Sequence, residues 1–250
     1  MSKQARWNKI IHLCQTQEEV SVDELVKTLG VSPATVRRDL QEMDDLNMIV
    51  RRRGGARLVN TQLVEPNMKI KSASFHAEKQ QIGYIAAQQV EDNQMIYVDS
   101  GSTTFEMLQY IQAKNVTVVT PGIPHLQVLG QRRISTIVLG GRLHWSSESI
   151  VGMRAIKMLK EMYFDVSFLG IDGIHERLGF STVNEAEAST KSLGIRHARK
   201  AFILTDHSKF NLIGAVPFAN LDEATIITDS VDNFDKSLIK YITTSGETNV

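Results

Sequence analysis

Six short apolar runs between residues 95 and 227 restrict the fold more than any other feature of the sequence. The runs occupy residues 95–98, 116–119, 136–139, 166–171, 201–204 and 225–227, and most of them are rich in β-branched residues. Short apolar runs without alternation are typical of buried parallel strands. Stretches with helical spacing separate most of the runs. This alternation predicts an α/β fold with a mostly parallel sheet.

Several of these runs are followed by residues suited to a ligand. Three of them end at aspartates, which are Asp99, Asp172 and Asp206. Ligands of open α/β sheets bind outside the carboxyl ends of the strands, so these carboxylates would line one crevice if their strands are neighbours. Lys209 could add positive charge there, and Gly140-Gly141 after another run would let a ligand approach the backbone. Carboxylates suit the hydroxyl groups of a sugar rather than a phosphate.

The loop after the first aspartate has the composition of an anion site. It consists of Ser100, Gly101, Ser102, Thr103 and Thr104, and a helical pattern follows it. Backbone N–H groups at the start of that helix, together with the hydroxyls, would cradle a phosphate. Each feature also has a purely structural interpretation, as a helix cap or a turn cap. Because the pattern recurs after several runs, the sequence favours a shared pocket for a phosphorylated polyol.

The start of the chain predicts three short helices. Apolar residues with helical spacing are Trp7, Ile10, Ile11 and Cys14, and then Val22, Leu25, Val26 and Leu29. Ser21 and Glu24 have the spacing of a capping box, and Gly30 suits the end of that helix. Ser32 and Pro33 then predict the cap and first residue of a third helix. Its inward-facing residues are Val36, Leu40 and Met43.

The third helix and the stretch after it predict a DNA-binding surface. The segment "MIVRRRGGARLV" predicts a hairpin with its turn at Gly54-Gly55. A helix-turn-helix followed by a basic hairpin is typical of a winged helix. The candidate DNA-contact residues are Ser32, Pro33, Thr35, Arg37, Arg38, Gln41, Arg51, Arg52, Arg53 and Arg57. The structural alternative is a three-helix bundle with a solvated charged face.

Local charge favours DNA binding over that alternative. The whole chain has 28 Lys+Arg and 28 Asp+Glu, so any nucleic-acid signal must be local. The arginines among the candidate residues lie at the helix start and in the hairpin, whereas the nearby acids lie in the later part of the helix. Residues at the helix start can reach base edges in the major groove. Wing arginines can meet phosphates or the minor groove.

Nearly the whole chain resembles one family. The stretch "VSVDELVKTLGVSPATVRRDLQEMDDLNMIVRRRGGARL" resembles the N-terminal signature of DeoR-type bacterial transcription regulators. The blocks "DSGSTT", "GG" at 140–141, "FLGIDGI", "GFSTVNEAEA" and "TDHSKF" resemble successive parts of their sensor domain. The resemblance implies a sugar-phosphate-sensing domain similar in fold to ribose-phosphate isomerases. The pocket it implies contains Ser100 to Thr104, Asp172, Asn184, Glu185, Asp206 and Lys209. One departure is Thr120-Pro121, where the family often has Thr-Asn, and Pro121 lacks both an N–H and an amide side chain.

These patterns divide the chain into a winged helix at residues 1–58, a linker at 59–75 and a sensor domain at 76–250. Cys14 is the only cysteine, which excludes an intrachain disulfide. No apolar run approaches the ~18 residues of a membrane span. We therefore expect a cytoplasmic protein.

Two functions remain open at this level. The first is a DNA-binding repressor of carbohydrate use, released from a double-stranded operator by a phosphorylated sugar or sugar alcohol and acting as a homodimer or homotetramer. The second is a sugar-phosphate isomerase with an accessory nucleic-acid-binding head. The acidic cluster that isomerisation requires is incomplete, because Gly173 and Ile174 follow Asp172. The seven histidines show no metal-binding spacing. We therefore favour the repressor and expect no catalytic residue, cofactor or metal.

Overall fold

The computed structural model describes residues 3–17, 19–45, 49–52, 54–58, 68–232 and 234–249. The chain divides into two compact units, Met1–Phe75 and His76–Val250.

The first unit is a winged helix. Its helices are α1 (Lys3–Thr16), α2 (Val22–Leu29) and α3 (Pro33–Asp45), and its strands are β1 (Val20–Ser21), β2 (Ile49–Arg52) and β3 (Gly55–Leu58). The strands form an antiparallel sheet in the order β1-β3-β2. The Ser21 side chain caps α2 by accepting from the Glu24 N–H at 3.2 Å, and Gly30 ends α2 with φ +64°. Both caps confirm the helix boundaries predicted from the sequence.

The core of this unit uses the predicted apolar faces. Buried residues include Trp7, Ile10, Cys14, Leu25, Leu29, Val36, Leu40 and Met43. An ion pair not predicted from the sequence accompanies them: Arg6 Nε donates to Asp39 Oδ2 at 2.5 Å, and Asp39 is 2% exposed. This pair joins α1 to α3, so Asp39 contributes to the fold of the unit.

Gly55 does not lie in the turn of the wing, where the sequence predicted it together with Gly54. It belongs to β3 and pairs with Arg52 of β2. Gly55 instead lies against β1, where a Cβ atom would be 2.4 Å from the Val20 carbonyl oxygen. The close approach of β1, a strand of two residues, therefore requires glycine at this position.

The predicted linker is described only in part. Residues 59–67 lie outside the described residues. The rest of it includes a helix, α4 (Met68–Ala73).

An eight-stranded sheet forms the centre of the second unit, in the order β16-β15-β14-β12-β9-β4-β5-β6. Its strands are β4 (Met95–Val98), β5 (Thr117–Thr120), β6 (Ser135–Val138), β9 (Phe164–Leu169), β12 (Ala198–Leu204), β14 (Thr225–Thr228), β15 (Lys240–Thr243) and β16 (Thr248–Asn249). All neighbouring pairs are parallel except β15 with β16. The six predicted runs correspond to β4, β5, β6, β9, β12 and β14, which confirms the α/β fold class.

Helices cover both faces of this sheet. They are α5 (His76–Ala87), α6 (Ser102–Met107), α7 (Ile123–Gln131), α8 (Met153–Lys160) and α9 (Glu185–Arg196). Tyr97 of β4 belongs to a core with Leu159 of α8 and Ile195 of α9, whereas its neighbour Ile96 packs with Ile82 of α5. Because both faces of the sheet are buried, the strand sequences are continuous apolar runs without alternation.

Smaller antiparallel elements complete the unit. The strands β7 (Arg142–His144) and β8 (Ser149–Val151) form a hairpin, and β10 (Gly173–His175), β11 (Gly179–Thr182) and β13 (Val216–Ala219) form a second sheet. The sequence patterns did not predict these strands. Within the described parts of the chain, every helix is too short or too polar to cross a lipid bilayer.

The connection order of the large sheet reverses between β4 and β9. From β4 the chain continues through β5 to the edge strand β6, and it then returns to β9 on the other side of β4. From β9 it continues outward through β12, β14 and β15. Such a reversal opens a crevice at the carboxyl ends of the two central strands, where open α/β sheets bind ligands.

Candidate functional site

The structure brings the three predicted aspartates to one edge of the sheet. Asp99 follows β4, Asp172 follows β9 and Asp206 follows β12, and these three strands are adjacent. The loops after β4 and β9 are in direct contact, since a Cβ atom on Gly101 would lie 3.3 Å from the Cα of Gly170. The candidate site is therefore centred on the reversal of strand order.

The Ser100–Thr104 loop presents polar groups without internal partners. The Thr104 hydroxyl is already engaged, since it donates to the carbonyl oxygens of Asp99 at 2.5 Å and Gly101 at 2.8 Å. The hydroxyls of Ser100, Ser102 and Thr103 make no hydrogen bond to any residue that the structure describes. The first N–H groups of α6 also lack intrahelical acceptors. The loop is thus fixed by Thr104 and offers its other donors to an anion.

A buried ion pair that the sequence did not predict lies beneath this loop. Lys191 of α9 donates to Asp99 Oδ2, and it also donates to the Gly170 carbonyl oxygen at 2.9 Å. The side chains of Lys191 and Asp99 are 5% and 2% exposed. Burial disfavours the ammonium, but the negative charges of Asp99 and Glu187 prevail, and the pKa of Lys191 is raised. Lys191 therefore stays charged and ties α9 to the loops after β4 and β9.

Two of the remaining predicted residues have structural partners, and a third lies on the surface. Asp172 Oδ2 accepts from the Thr182 hydroxyl at 2.9 Å and the Val183 N–H at 3.2 Å. Asn184 caps α9, because its Oδ1 accepts from the N–H of the second residue of the helix at 2.9 Å. Glu185, the first residue of α9, is exposed. The structure thus brings Asp172 and Asn184 into the polar cluster and leaves Glu185 at its margin.

The β7–β8 hairpin closes one side of this cluster. Since Asn184 Oδ1 is used in the cap, its Nδ2 faces His144 Nε2 at 3.0 Å and donates to it. The proton of the neutral imidazole then lies on Nδ1, which is 3.1 Å from the Ser147 hydroxyl. Ser147 in turn donates to the buried carboxylate of Glu187. His144 and Ser147 were missed because their contacts join segments that are distant in sequence.

Lys209 differs from Lys191 because its charge is not neutralised internally. Asp206, which is 1% exposed, caps the short turn His207–Lys209 by accepting from the Ser208 N–H at 3.1 Å. Lys209 is half-buried as a residue, and its ammonium forms no hydrogen bond or ion pair with the part of the chain that is described. Its charge is therefore available to an anionic ligand.

The glycine pair and Pro121 support the hairpin. Gly140 and Gly141 follow the edge strand β6, and a Cβ atom on Gly141 would lie 2.5 Å from the Val151 carbonyl oxygen of β8. Pro121 accepts from the Ile150 N–H through its carbonyl at 2.8 Å. These contacts fix the hairpin beside β5. Among the described residues, no group of three His, Cys, Asp or Glu side chains is placed to hold a metal ion.

In the winged helix, the predicted DNA-contact arginines differ in their internal partners. Arg51 donates to Gln41, and Arg38 lies 3.4 Å from a Glu42 carboxylate oxygen. Arg37 and Arg52 are exposed and have no partner within the described ranges.

The other predicted contacts lie at the start of α3 or are described only in part. Ser32 accepts from the Thr35 N–H at 3.2 Å and caps α3, and Pro33 is exposed at its first position. Arg53 lies outside the described residues, and only the backbone of Arg57, in β3, is described.

Two family models match the chain. The model described as "DeoR-like helix-turn-helix domain" matches residues 6–62, and the one described as "DeoR C terminal sensor domain" matches residues 74–230. The chain belongs to the DeoR family of transcriptional regulators. This membership favours a regulator over the isomerase alternative.

Relatives of similar length agree with this assignment. A Bacillus subtilis protein named "Uncharacterized HTH-type transcriptional regulator FruR" is 33% identical over 95% of this chain and 97% of its own. The "Glycerol-3-phosphate regulon repressor" of Escherichia coli K12 is 31% identical over 84% of each chain. The "HTH-type transcriptional repressor GlcR" of Bacillus subtilis is 29% identical over 93% of this chain and 91% of its own.

Similar solved structures include a ribose 5-phosphate isomerase from Plasmodium falciparum. It has a TM-score of 0.40 and 20% identity over 53% of this chain and 52% of its own. The β subunit of eIF2B from Chaetomium thermophilum has a TM-score of 0.44 and 14% identity over 99% of this chain and 82% of its own.

Proposed function

We propose that this DeoR-family protein represses a carbohydrate-utilisation operon and that a phosphorylated sugar or sugar alcohol relieves its binding to the operator. Two of the relatives named above are described as repressors, and one of them is the repressor of a glycerol-3-phosphate regulon. The observation that carries the proposal is the Ser100–Thr104 loop, whose unused donors lie at the reversal of strand order.

In this proposal the effector bridges the loop and the turn after β12. Its phosphate accepts from the loop N–H groups and hydroxyls and pairs with Lys209. Asp206 holds a hydroxyl group of the effector nearby. The Lys191–Asp99 pair keeps the loops after β4 and β9 in place. The pocket therefore recognises a polyol that carries a phosphate, and it performs no chemistry on it.

Repression is relieved through linkage. An effector changes the affinity for DNA only if it binds two conformations of the protein unequally. Helix-turn-helix proteins commonly bind two half-sites as symmetric dimers. We propose accordingly that the protein acts in the cytoplasm as a homodimer or homotetramer on a repeated operator site, which light scattering of the purified protein tests directly.

The effector site is tested first by a thermal-shift panel of sugar and sugar-alcohol phosphates. A compound at about 100 times its Kd stabilises the native state by ~2.7 kcal/mol if it binds that state only. The compound identified in this way is then titrated into the protein–operator complex for the wild type and for Lys209→Ala. We expect Lys209→Ala to bind DNA normally and to lose the response.

Lys200→Ala is the matched control for this experiment, because Lys200 is an exposed lysine on β12. We expect its titration curve to superimpose on that of the wild type. If Lys209→Ala responds as well as Lys200→Ala, the pocket has been placed in the wrong part of the chain. Turnover of a bound aldose phosphate that disappears in Asp172→Asn would instead favour an isomerase.

The proposed DNA-contact surface is tested by replacing, one at a time, arginines that do or do not interact with other side chains of the protein. We expect Arg37→Ala to cost ~1–3 kcal/mol of operator binding and to relax sequence preference, as loss of a base contact does. Arg52→Ala should weaken all DNA alike and reduce the salt dependence by ~1 per lost phosphate contact. Arg51→Ala should change binding less, because Gln41 already holds this guanidinium. Equal affinity for operator and random DNA at low salt would contradict the assignment of this surface.

A further inference from the structure

His125 is a fully buried imidazole behind the Ser100–Thr104 loop. It lies in the first turn of α7, its ring packs over Gly122, and the Phe105 ring of α6 lies 5.8 Å away between centroids. No atom of His125 is exposed. The ring faces the backbone of Gly101, a residue of the loop, from the interior of the sensor domain.

The hydrogen bonds around His125 determine its tautomer. The Thr120 hydroxyl accepts from the Gly122 N–H at 3.1 Å, and among the described residues its own proton has no acceptor other than His125 Nδ1, at 3.0 Å. Nδ1 is then the acceptor, and the ring proton lies on Nε2. Burial lowers the pKa of His125 to about 4, so the ring is neutral at physiological pH. His125 is consequently a neutral donor with its proton on Nε2.

This donor lacks a well-formed hydrogen bond. Nε2 faces the backbone of Gly101, but it makes no hydrogen bond of normal geometry to any described residue. The Gly101 carbonyl oxygen is already used, because it accepts from the Thr104 hydroxyl at 2.8 Å and from the Phe105 N–H at 2.9 Å. Buried donors without partners are rare in native proteins and raise the free energy of the conformation that contains them.

We propose that His125 is a positioning residue that couples the loop to its ligand. Phosphate binding to the Ser100–Thr104 loop shifts the loop backbone so that a loop carbonyl accepts from His125 Nε2. The unequal affinity of the ligand for two loop positions drives the shift, and the hydrogen bond gained by Nε2 lowers the free energy of the ligand-bound position. This inference rests on the proposed function, because it requires a phosphate-bearing ligand at the loop.

Two substitutions separate the nitrogens of His125. Asparagine places its amide near the position of Nδ1, so His125→Asn can keep the bond with Thr120 but has no donor at Nε2. Glutamine places its amide near Nε2, so His125→Gln keeps the donor that faces the loop. Both variants lose the ring packing over Gly122, and each therefore controls for the other.

Binding is measured on the full chain by calorimetry, with inorganic phosphate and glycerol 3-phosphate as probes. We expect His125→Asn to weaken binding about tenfold, the value of one hydrogen bond, and His125→Gln to stay within about threefold of the wild type. A merely structural role would lower the melting temperature of both variants and leave both affinities similar. Similar affinities of the two variants would overturn the inference while leaving the proposed function intact. A wild-type protein that binds neither these probes nor any compound of the effector panel would overturn both.

A second measurement needs no variant. Long-range ¹H–¹⁵N spectra of the wild type with ¹⁵N-labelled histidine report the tautomer and the hydrogen bonding of each ring. We expect the His125 Nε2 proton to move downfield when glycerol 3-phosphate is added. An Nδ1-protonated ring, or an Nε2 resonance unchanged at saturation, would contradict the proposal even if His125→Asn fails to fold.

Discussion

Replacing Lys191 by methionine tests the charge balance beneath the proposed effector site. Lys191→Met keeps much of the side-chain volume but removes the cation between Asp99 and Glu187. Both members of the Lys191–Asp99 pair are almost fully buried, at 5% and 2% side-chain exposure. Removal of one partner from such a pair costs about 3–5 kcal/mol, since the remaining charge is buried without compensation. With roughly 2–4 °C per kcal/mol for a domain of this size, the sensor-domain transition should fall by about 6–20 °C.

The pH dependence of this variant distinguishes an uncompensated buried charge from a simple loss of packing, because only the buried charge makes the loss of stability change with pH. Without Lys191, buried carboxyl groups remain without a compensating cation, and burial favours the neutral form of a carboxyl group. A group with a raised folded pKa takes up its proton first in the folded state, so the loss of stability should shrink as the pH falls from about 7 to about 5. The double variant Lys191→Met/Asp99→Asn should recover part of the loss at neutral pH.

Differential scanning calorimetry of the full chain measures these effects. Lys200→Met, at an exposed position, is the control and should change the melting temperature little. A cost below about 1 kcal/mol for Lys191→Met, the range of surface pairs, would refute the argument that this charge is buried and structural. A loss of stability that does not change with pH would show that packing, rather than uncompensated charge, is responsible.

Two further predictions concern stability. Gly83→Ala should destabilise the protein by about 1–3 kcal/mol, because the added Cβ would lie 2.7 Å from the Met107 backbone nitrogen of α6. Gly130→Ala in α7 should stabilise the protein by up to about 1 kcal/mol, because a Cβ there meets open space. Thermal melts decide this, and a stabilising Gly83→Ala would contradict the close packing of α5 on α6. The hydrogen bond with Asp229 raises the pKa of His207. The stability that this bond gives the folded protein is therefore complete below the unfolded pKa of about 6.5, and it is lost as the pH rises through the folded pKa. The difference in melting temperature between wild type and Asp229→Asn should therefore shrink at alkaline pH, and a constant difference would exclude this linkage.

Local patterns were sufficient to predict much of this fold. The boundaries of α2 and α3 are marked by Ser21, Gly30 and Ser32, each through interactions with residues close in sequence. Such short-range interactions can be recognised in a sequence. The six apolar runs became strands of one sheet because burial on both faces leaves a continuous apolar signature. The aspartates at the ends of β4, β9 and β12 could be recognised for the same reason.

Residues whose partners are distant in sequence could not be predicted. Lys191 lies in "EASTKS", where no apolar periodicity distinguishes a buried lysine from a solvated one. His125 bonds to Thr120, which is close in sequence, but it faces the Gly101 backbone only because α7 packs beside α6. The β7–β8 hairpin depends on contacts with Pro121 and α9. In each case tertiary contacts, rather than local propensity, determine the role of the residue.

The contact between Gly101 and Gly170 limits how this crevice can change. A Cβ atom on either glycine would lie within 3.3–3.4 Å of the Cα of the other, so the floor between β4 and β9 consists of backbone. Substitution of either glycine cannot change the size, polarity or charge of that floor without separating the two central strands. If the proposed effector site is redesigned for a different compound, the floor should therefore be kept unchanged. Variation belongs in the rim, in the turn of the β7–β8 hairpin and in the segment after β12, where side chains can be exchanged without moving the sheet.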